Sequence, residues 1–371
     1  MVRLIDEFRK SDALLPALKR IESLVDRPIN LMEVCGTHTV SVSRFGIRSA
    51  MPESLTLLSG PGCPVCVTSQ EDIDKAMAFA SIPGVILTTF GDMMKVPGTH
   101  GSLSLMKARG HDIRICYSTL DALKIAEENS DRQVVFYGVG FETTAPTVAL
   151  AIIEAKKRGI MNFSVFSAHK TVPMALRALL DSGEVRIDGF ILPGHVSIVT
   201  GTRVYEFLAS EYHVPGVVTG FEPLDVLLGI SMLVEQVVKG EARIENEYTR
   251  IVTEDGNRLA QQAIEEVFEP SDAYWRGIGV IPGSGLSIRS EYADFDASSR
   301  FDIRVEDSRE PRGCSCGDVL RGVKLPFDCR LFGKSCTPEH PIGPCMVSSE
   351  GACAAYYRYE QHASVDGDAR A

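Results

Sequence analysis

No run of about 18 uninterrupted apolar residues occurs in the 371-residue chain, so no membrane-spanning helix is expected. Basic residues are in the minority: 38 Lys and Arg stand against 49 Asp and Glu, a net charge of −11. That balance gives no overall attraction for a phosphate backbone and argues against a nucleic-acid binder. The opening residues, MVRLIDEFRK, alternate charged and apolar types and lack the apolar core of a signal peptide, which points to a cytoplasmic protein. There is no G-x-S-x-G elbow, no Walker A run and no H-E-x-x-H, which weighs against a zinc-stabilised hydrolase or transferase. Nor is the composition that of a disordered chain, with 44% hydrophobic and 23% charged residues. The length suits two or three domains, each able to bury a core.

Cysteine, by contrast, is plentiful. There are ten, and in a reducing compartment they suit metal ligation or redox chemistry better than structural cross-links. Six of them fall between Cys314 and Cys353, where even scatter would place about one.

Residues 3–26 read as one or two amphipathic helices, with Leu4, Phe8, Leu14, Leu15, Leu18, Ile21 and Leu24 at near-helical spacing. Eight short apolar runs follow, each ending in a Gly-, Pro- or Thr-rich turn: 29–34, 55–60, 85–90, 113–117, 133–140, 163–168, 189–194 and 216–221. Between them lie stretches of helical length at 70–81, 102–109, 119–129, 144–158, 171–181 and 200–211. Runs apolar on both faces suit a parallel sheet covered by helices on both sides. Eight such units could close one barrel, but two doubly wound sheets of about four strands are preferred, divided at the polar run AEENSDRQ near 125–132. A faint internal echo, GVGFETTAPTVAL (138–150) against VVTGFEPLDVLLG (217–229), agrees with duplication. Residues 232–270 read as charged helix, and from Trp275 the pattern turns irregular. The expected organisation is a helical segment 1–28, α/β domains over 29–128 and 129–235, and a small Cys-rich iron–sulfur domain over 236–371.

Ligands in open α/β sheets bind outside the carboxyl ends of strands, and the turns there are rich in reactive groups. They are Cys35-Gly36-Thr37-His38, Gly60-Pro61-Gly62-Cys63-Pro64-Val65-Cys66, Gly91-Asp92, Gly140-Phe141-Glu142-Thr143-Thr144, His169-Lys170, Pro193-Gly194-His195 and Gly220-Phe221-Glu222. Cys63 and Cys66 bracket two residues where a strand meets a helix. That spacing lets the sulfurs pair as a disulfide or share one soft metal, and a helix N-terminus activates a thiol. Cys35 and His38 could ligate a metal, or His38 could deprotonate Cys35. Glu142 and Glu222 are candidate acids, bases or helix caps, and Thr143 and Thr144 natural caps. His169 and His195 could act directly, whereas Cys116, inside an apolar run, reads as a buried small hydrophobe.

The tail reads C-x-C-x12-C-x6-C-x8-C-x7-C, from Cys314, Cys316, Cys329, Cys336, Cys345 and Cys353. Paired zinc knuckles are missing, and thiolates spread among Gly/Pro loops suit an iron–sulfur cluster with four ligands better than zinc or disulfides alone. Two cysteines would then remain as a redox pair.

Together CGTHT (35–39), GPGCPVC (60–66), GFETT (140–144), LPGHVS (192–197) and the tail from GCSCGDVLRGVKLPFDCRLFGKSC to GPCMVSSEGACAAYYRY resemble the HypD hydrogenase maturation proteins over essentially the whole chain. The resemblance implies an assembly scaffold with redox activity rather than a metabolic enzyme. With a small HypC-like partner, and a HypE-like cyanide donor visiting transiently, it would assemble and carry the Fe(CN)2CO unit of [NiFe] hydrogenase. It implies two α/β domains and a third holding a [4Fe–4S] cluster, similar to ferredoxin-thioredoxin reductase. Carried over by motif, Cys35 anchors the iron, His38 lies beside it, Cys63 and Cys66 form a redox pair nearby, and His195 and Glu142 line the same cleft. The reductase analogy assigns Cys314, Cys329, Cys336 and Cys353 to the cluster and leaves Cys316 and Cys345 as an accessory pair. A rival reading is an iron–sulfur thiol–disulfide reductase acting on a protein substrate.

Overall fold

The computed structural model describes residues 11–305 and 308–360. The first helix, Ser11–Leu24, buries Ala17 and Ile21, with Leu14, Leu18 and Leu24 packed around them, while Leu15 points to solvent. Residues 3–10 of the expected helix, with Leu4 and Phe8, lie outside the described residues.

All eight apolar runs form strands: β1 (Ile29–Glu33), β2 (Leu55–Ser59), β3 (Val85–Thr89), β4 (Ile113–Ile115), β5 (Gln133–Gly138), β6 (Phe163–Ser167), β7 (Gly189–Pro193) and β8 (Gly216–Thr219). A ninth, β9 (Ile244–Asn246), was not expected. Two open parallel sheets result, in the orders β2-β1-β7-β8-β9 and β4-β3-β5-β6, which excludes the closed barrel. The fold is thus α/β with doubly wound sheets and a Cys-rich C-terminal region, as the apolar pattern implied.

The partition between sheets differs from a cut near 125–132. That polar run lies between β4 and β5, which share one sheet with β3 between them, whereas β1 and β2 join strands from the far half of the chain. The join is specific. Leu31 pairs with Gly189 and Met32 with Phe190, and below them Asn30 N–H donates to the Asp188 carboxylate at 2.8 Å while Asp188 N–H donates to the Asn30 carbonyl at 2.8 Å. Contacts 158 residues apart in sequence leave no local pattern. The faint echo falls on equivalent places, since 138–150 and 217–229 each run from a strand end through a turn into a helix, one per sheet.

Strand order reverses between β1 and β7 in one sheet and between β3 and β5 in the other. At such switch points neighbouring loops part in opposite directions and open a crevice. Cys35 and His195 follow β1 and β7; Glu142 follows β5. The largest apolar cluster unites Met32, Leu58 and Phe190 of one sheet with Tyr137 and Phe166 of the other, and with Cys316, Cys345 and Cys353 of the tail. Separate clusters cover the outer faces of the two sheets.

Two segments depart from expectation beyond residue 240. The charged stretch 232–270 is not one helix: Pro223–Lys239 and Arg258–Val267 are helices with β9 between them. The supposedly irregular stretch after it is an antiparallel hairpin of β10 (Phe268–Trp275) and β11 (Gly279–Ile288), bulged between Ser271 and Ala273. Pro270, Ser271 and Asp272 are poor strand formers, so packing rather than propensity holds β10: Phe268 and Trp275 at its ends are buried. The Trp275 ring stacks on Phe141 at 5.7 Å and its Nε1–H donates to Ser284 Oγ at 2.8 Å.

Because Phe190 and the single tryptophan, Trp275, share one apolar cluster, Phe190→Ala should lower the unfolding free energy by about 3–5 kcal/mol in one transition. Trp275 fluorescence and far-UV circular dichroism should report the same midpoint. Separate midpoints would contradict a shared core.

Candidate functional site

Cys35 sits in the turn after β1 with extended backbone (φ −148°, ψ 126°) and caps the helix Gly36–Arg44. Two residues earlier the buried Glu33 braces this turn: Cys35 N–H donates to Glu33 Oε2 at 3.2 Å, and Thr39 Oγ1 donates to Glu33 Oε1 at 2.6 Å. Burial, against the pull of Thr39, pushes the Glu33 carboxyl up to about 7. The Cys35 thiol is pushed up to about 12 by burial and by the Glu350 carboxylate, opposed by the N–H groups of His38 and Thr37 in the first helical turn.

The loop after β2 lies directly on this turn. Gly36 N–H donates to the Gly62 carbonyl at 2.9 Å, and a Cβ on Gly62 would collide with the Cys35 nitrogen. The loop runs into the short helix Pro64–Val67, where Cys66 N–H donates to Cys63 Sγ at 3.3 Å and the two sulfurs are joined in a buried disulfide, Cα atoms 5.2 Å apart. The tip of the β10–β11 hairpin holds the far end of that helix: Arg276, itself buried, donates from its backbone N–H to the Val67 carbonyl at 2.9 Å and from Nε to the Thr68 carbonyl at 3.1 Å.

The tail closes the site. Ser348 Oγ stands 3.3 Å from Cys63 Sγ, and Thr37 Oγ1 donates to Glu350 Oε1 at 2.7 Å. Cys35, Thr37, Gly62, Pro64 and Glu350 thereby face Phe141, Thr143 and Thr144 of one sheet and Pro193 and His195 of the other across a cavity of about 250 Å³. Of the larger surface clefts, those of about 480 and 650 Å³ have no cysteine or histidine in their walls and one of about 410 Å³ has His213 but no cysteine, whereas the cavity at Cys35 is lined by both a cysteine and a histidine.

His38 is close to Cys35 in sequence but turns the other way. Its Nε2–H donates to the Gly220 carbonyl at 2.9 Å, with Thr219 Oγ1 at 2.8 Å, and burial holds its pKa down to about 4. The Phe221 ring is sandwiched between His38 at 4.7 Å and His195 at 3.9 Å, and His195 is the histidine that lines the cavity. Burial lowers the His195 pKa and Glu350 raises it. Glu142 stands just behind the wall, with Oε1 accepting from Val172 N–H at 3.0 Å and Oε2 without a hydrogen-bond partner among the described residues; burial pushes its carboxyl up to about 7. His169 is buried beside Ser167 Oγ at 3.1 Å and held neutral, with its pKa down to about 3. Glu222 caps the helix Pro223–Lys239 in a reciprocal arrangement with Asp225, and Cys116 is a buried free thiol in the outer core.

This arrangement can be set beside known proteins. The family described as "HypD: Hydrogenase formation hypA family" matches residues 12–360. The hydrogenase maturation factor HypD of Cupriavidus necator is 49% identical over 369 residues, covering 96% of this chain and 97% of its own length. That of Escherichia coli is 46% identical over 371 residues, covering 98% and 100%. That of Rhizobium leguminosarum bv. viciae is 47% identical over 369 residues, covering 96% of each. The chain belongs to the HypD family of hydrogenase maturation factors.

The tail cysteines of this HypD-family chain converge unevenly. Cys316 and Cys345, set aside on sequence as an accessory pair, lie at the centre: the free thiol of Cys316 interacts with that of Cys314, and those of Cys316, Cys345 and Cys353 interact with one another. The neighbouring thiols of Cys316 and Cys345 lower the Cys353 pKa. Cys336 is beside them, its Sγ accepting from Ile342 N–H at 3.3 Å, and burial raises its pKa. Cys329 stands apart, half-buried, 3.9 Å from the Gly313 carbonyl. No three His, Cys, Asp or Glu among the described residues have a geometry that would hold a metal ion.

Glu33, Glu350, Ser348 and Arg276 escaped notice in the sequence, and Phe221 was named there only as part of a strand-end turn. A carboxylate inside the apolar run INLMEV was a usable signal for Glu33. None existed for Glu350, which meets Thr37 across 313 residues. No helix among the described residues is long and apolar enough to cross a membrane.

Glu142 keeps its proton to about pH 7 when folded but only to about 4.5 when unfolded. Folding therefore takes up a proton between those values, and stability present below pH 4.5 is lost as pH rises through 7. Glu142→Gln should shrink that loss, by on the order of 3 kcal/mol, in urea unfolding compared at acid and alkaline pH. An unchanged pH dependence would contradict the buried, protonated carboxyl.

Proposed function

We propose that the chain is the scaffold on which, with a HypC-like partner and a transient HypE-like cyanide donor, the Fe(CN)2CO unit of [NiFe] hydrogenase is assembled and carried. The observation that supports it best is the meeting of Cys35, the Cys63–Cys66 loop and Glu350 of the tail at one cavity. The iron unit is the cargo, and Cys35 is its anchor on this chain. Iron bound by cyanide and carbonyl is soft, so a thiolate is the matching ligand. With its pKa near 12, Cys35 is a neutral thiol at pH 7; it loses its proton only against a metal, and the N–H groups of Thr37 and His38 then face the sulfur. His195 lines the opposite wall, held by the Phe221 ring, and offers a ring nitrogen to whatever occupies the cavity.

The tail fits a [4Fe–4S] cluster in donor type and number. Cys314, Cys316, Cys336, Cys345 and Cys353 provide five neighbouring sulfurs, more than the four required. Gly343 leaves the room: a Cβ there would stand 2.5 Å from Cys316 Sγ and 2.6 Å from Cys314 Sγ. A bound cluster would supply single electrons at low potential. Reducing the Cys63–Cys66 disulfide takes two electrons and two protons and yields two thiols beside the cargo. Ser348, three residues after Cys345, ties the disulfide to the sulfur group.

The rival reading, a reductase for protein disulfides, is disfavoured by burial, since Cys63 and Cys66 are 3% and 0% exposed and a macromolecular disulfide cannot reach them.

Infrared spectroscopy of the protein co-purified with its small partner tests the scaffold. The wild type should show cyanide and carbonyl bands, and Cys35→Ala should lose them while keeping its fold and tail iron. Bands that persist in Cys35→Ala would eliminate Cys35 as anchor. Separately, anaerobically purified protein should contain about four irons and four sulfides. Colourless protein holding one zinc would remove the cluster.

A further inference from the structure

Charge along the chain is not evenly spread. Between Arg312 and Cys336 five Lys and Arg stand against two Asp, a surplus of three positive charges in a chain whose net charge is −11. Both aspartates are already engaged. Asp318 binds Lys324 at 2.7 Å and Arg321 at 3.0 Å, and Asp328 accepts from Leu325 N–H at 2.9 Å. Arg312, Arg330 and Lys334 are exposed, and none of them pairs with an acid among the described residues.

The three cations lie around one feature. Leu331 packs on Gly313, and Cys329 Sγ approaches the Gly313 carbonyl at 3.9 Å, which sets Arg330 beside Arg312. Lys334 follows in the tight turn where its N–H donates to the Leu331 carbonyl at 3.2 Å. Phe327, 45% exposed, packs edge-on against Phe332 and Tyr356, each at 5.4 Å, with exposed Val323 and Leu325 in the same segment. Beneath this basic and apolar face are the tail sulfurs. The two least buried of them, Cys314 and Cys329, belong to the very loops that carry Arg312 and Arg330.

We propose that this face docks an acidic one-electron carrier protein, the external electron source for the sulfur group below it; the inference rests on the tail's redox role given above. Unpaired cations around an exposed aromatic ring attract and orient an acidic partner at a distance and leave an apolar contact at the centre. The chain's net charge of −11 gives such a partner no overall attraction, so its pull comes from local basic faces such as this one. Each docking delivers one electron and leaves the carrier oxidised by one. Two deliveries with two protons convert the Cys63–Cys66 disulfide into two thiols, so electrons and protons balance.

The probe is a small acidic [2Fe–2S] ferredoxin, titrated against the anaerobically purified full chain at about 50 and about 500 mM salt. Binding should weaken steeply with salt. The triple variant Arg312→Glu, Arg330→Glu and Lys334→Glu should weaken it at least about tenfold and slow electron transfer in proportion. Its iron and sulfide content, and its reduction by a photoreduced neutral deazaflavin that needs no docking face, should not change. Binding indifferent to salt or to the triple variant would overturn the proposal. So would an equal loss on reversing the exposed Lys107 and Arg109 elsewhere, or tighter binding of a nucleic-acid duplex at this face. Protein lacking iron and sulfide would instead refute the cluster reading, while the ferredoxin titration still decides the docking face.

Discussion

A backbone hydrogen bond holds the site together. The Gly62 carbonyl receives the Gly36 N–H at 2.9 Å, and no side chain on Gly62 separates the two loops. Through that contact the turn after β1 and the turn after β2 become one surface, with Cys35 on one side and the Cys63–Cys66 disulfide on the other. The tail then lies across both, with Ser348 on the disulfide and Glu350 on Thr37. The two sheets supply the remaining walls from their switch points, the places where a doubly wound sheet opens. A side chain at position 62 would part the loops and leave Cys35 without its neighbour.

The second governing fact is dryness. Burial pushes Cys35 to about 12 and Glu33 to about 7, and holds His38 near 4. At neutral pH the thiol and His38 are therefore uncharged. On the proposed function, a soft iron unit with strong-field ligands would draw a thiolate from Cys35 only as it binds. Hence the role of His38 differs from that of a base for Cys35. Its Nε2–H is committed to Gly220, and its contribution is to pack Phe221, which in turn presents His195.

Much of this was legible in the residues. Eight apolar runs are eight strands, and every reactive turn singled out follows a strand, because apolar periodicity and turn composition are local properties of a chain. Sheet membership was not legible: β1 pairs with β7 through contacts such as Met32 with Phe190, and such partners leave no mark on nearby sequence. Nor was β10, whose Pro270 and Asp272 speak against a strand that Phe268 and Trp275 nevertheless anchor. In the candidate site the motifs located Cys35, Cys63, Cys66 and His195. They missed Glu350 and Ser348, whose importance lies in where the tail folds. Among the tail cysteines spacing alone could not rank the sulfurs. The structure puts Cys316, Cys345 and Cys353 in mutual contact and leaves Cys329 outside, a grouping decided by the packing of the helices Cys316–Leu320, Pro344–Val347 and Ala352–Tyr359.

Anomalous diffraction at the iron edge, from crystals of the protein loaded with its cargo, tests the central claim most directly. One isolated iron should lie within bonding distance of Cys35 Sγ in the cavity walled by Gly62, His195 and Glu350, apart from the compact iron signal at the tail sulfurs. An isolated iron bound elsewhere, with Cys35 free, would contradict the account.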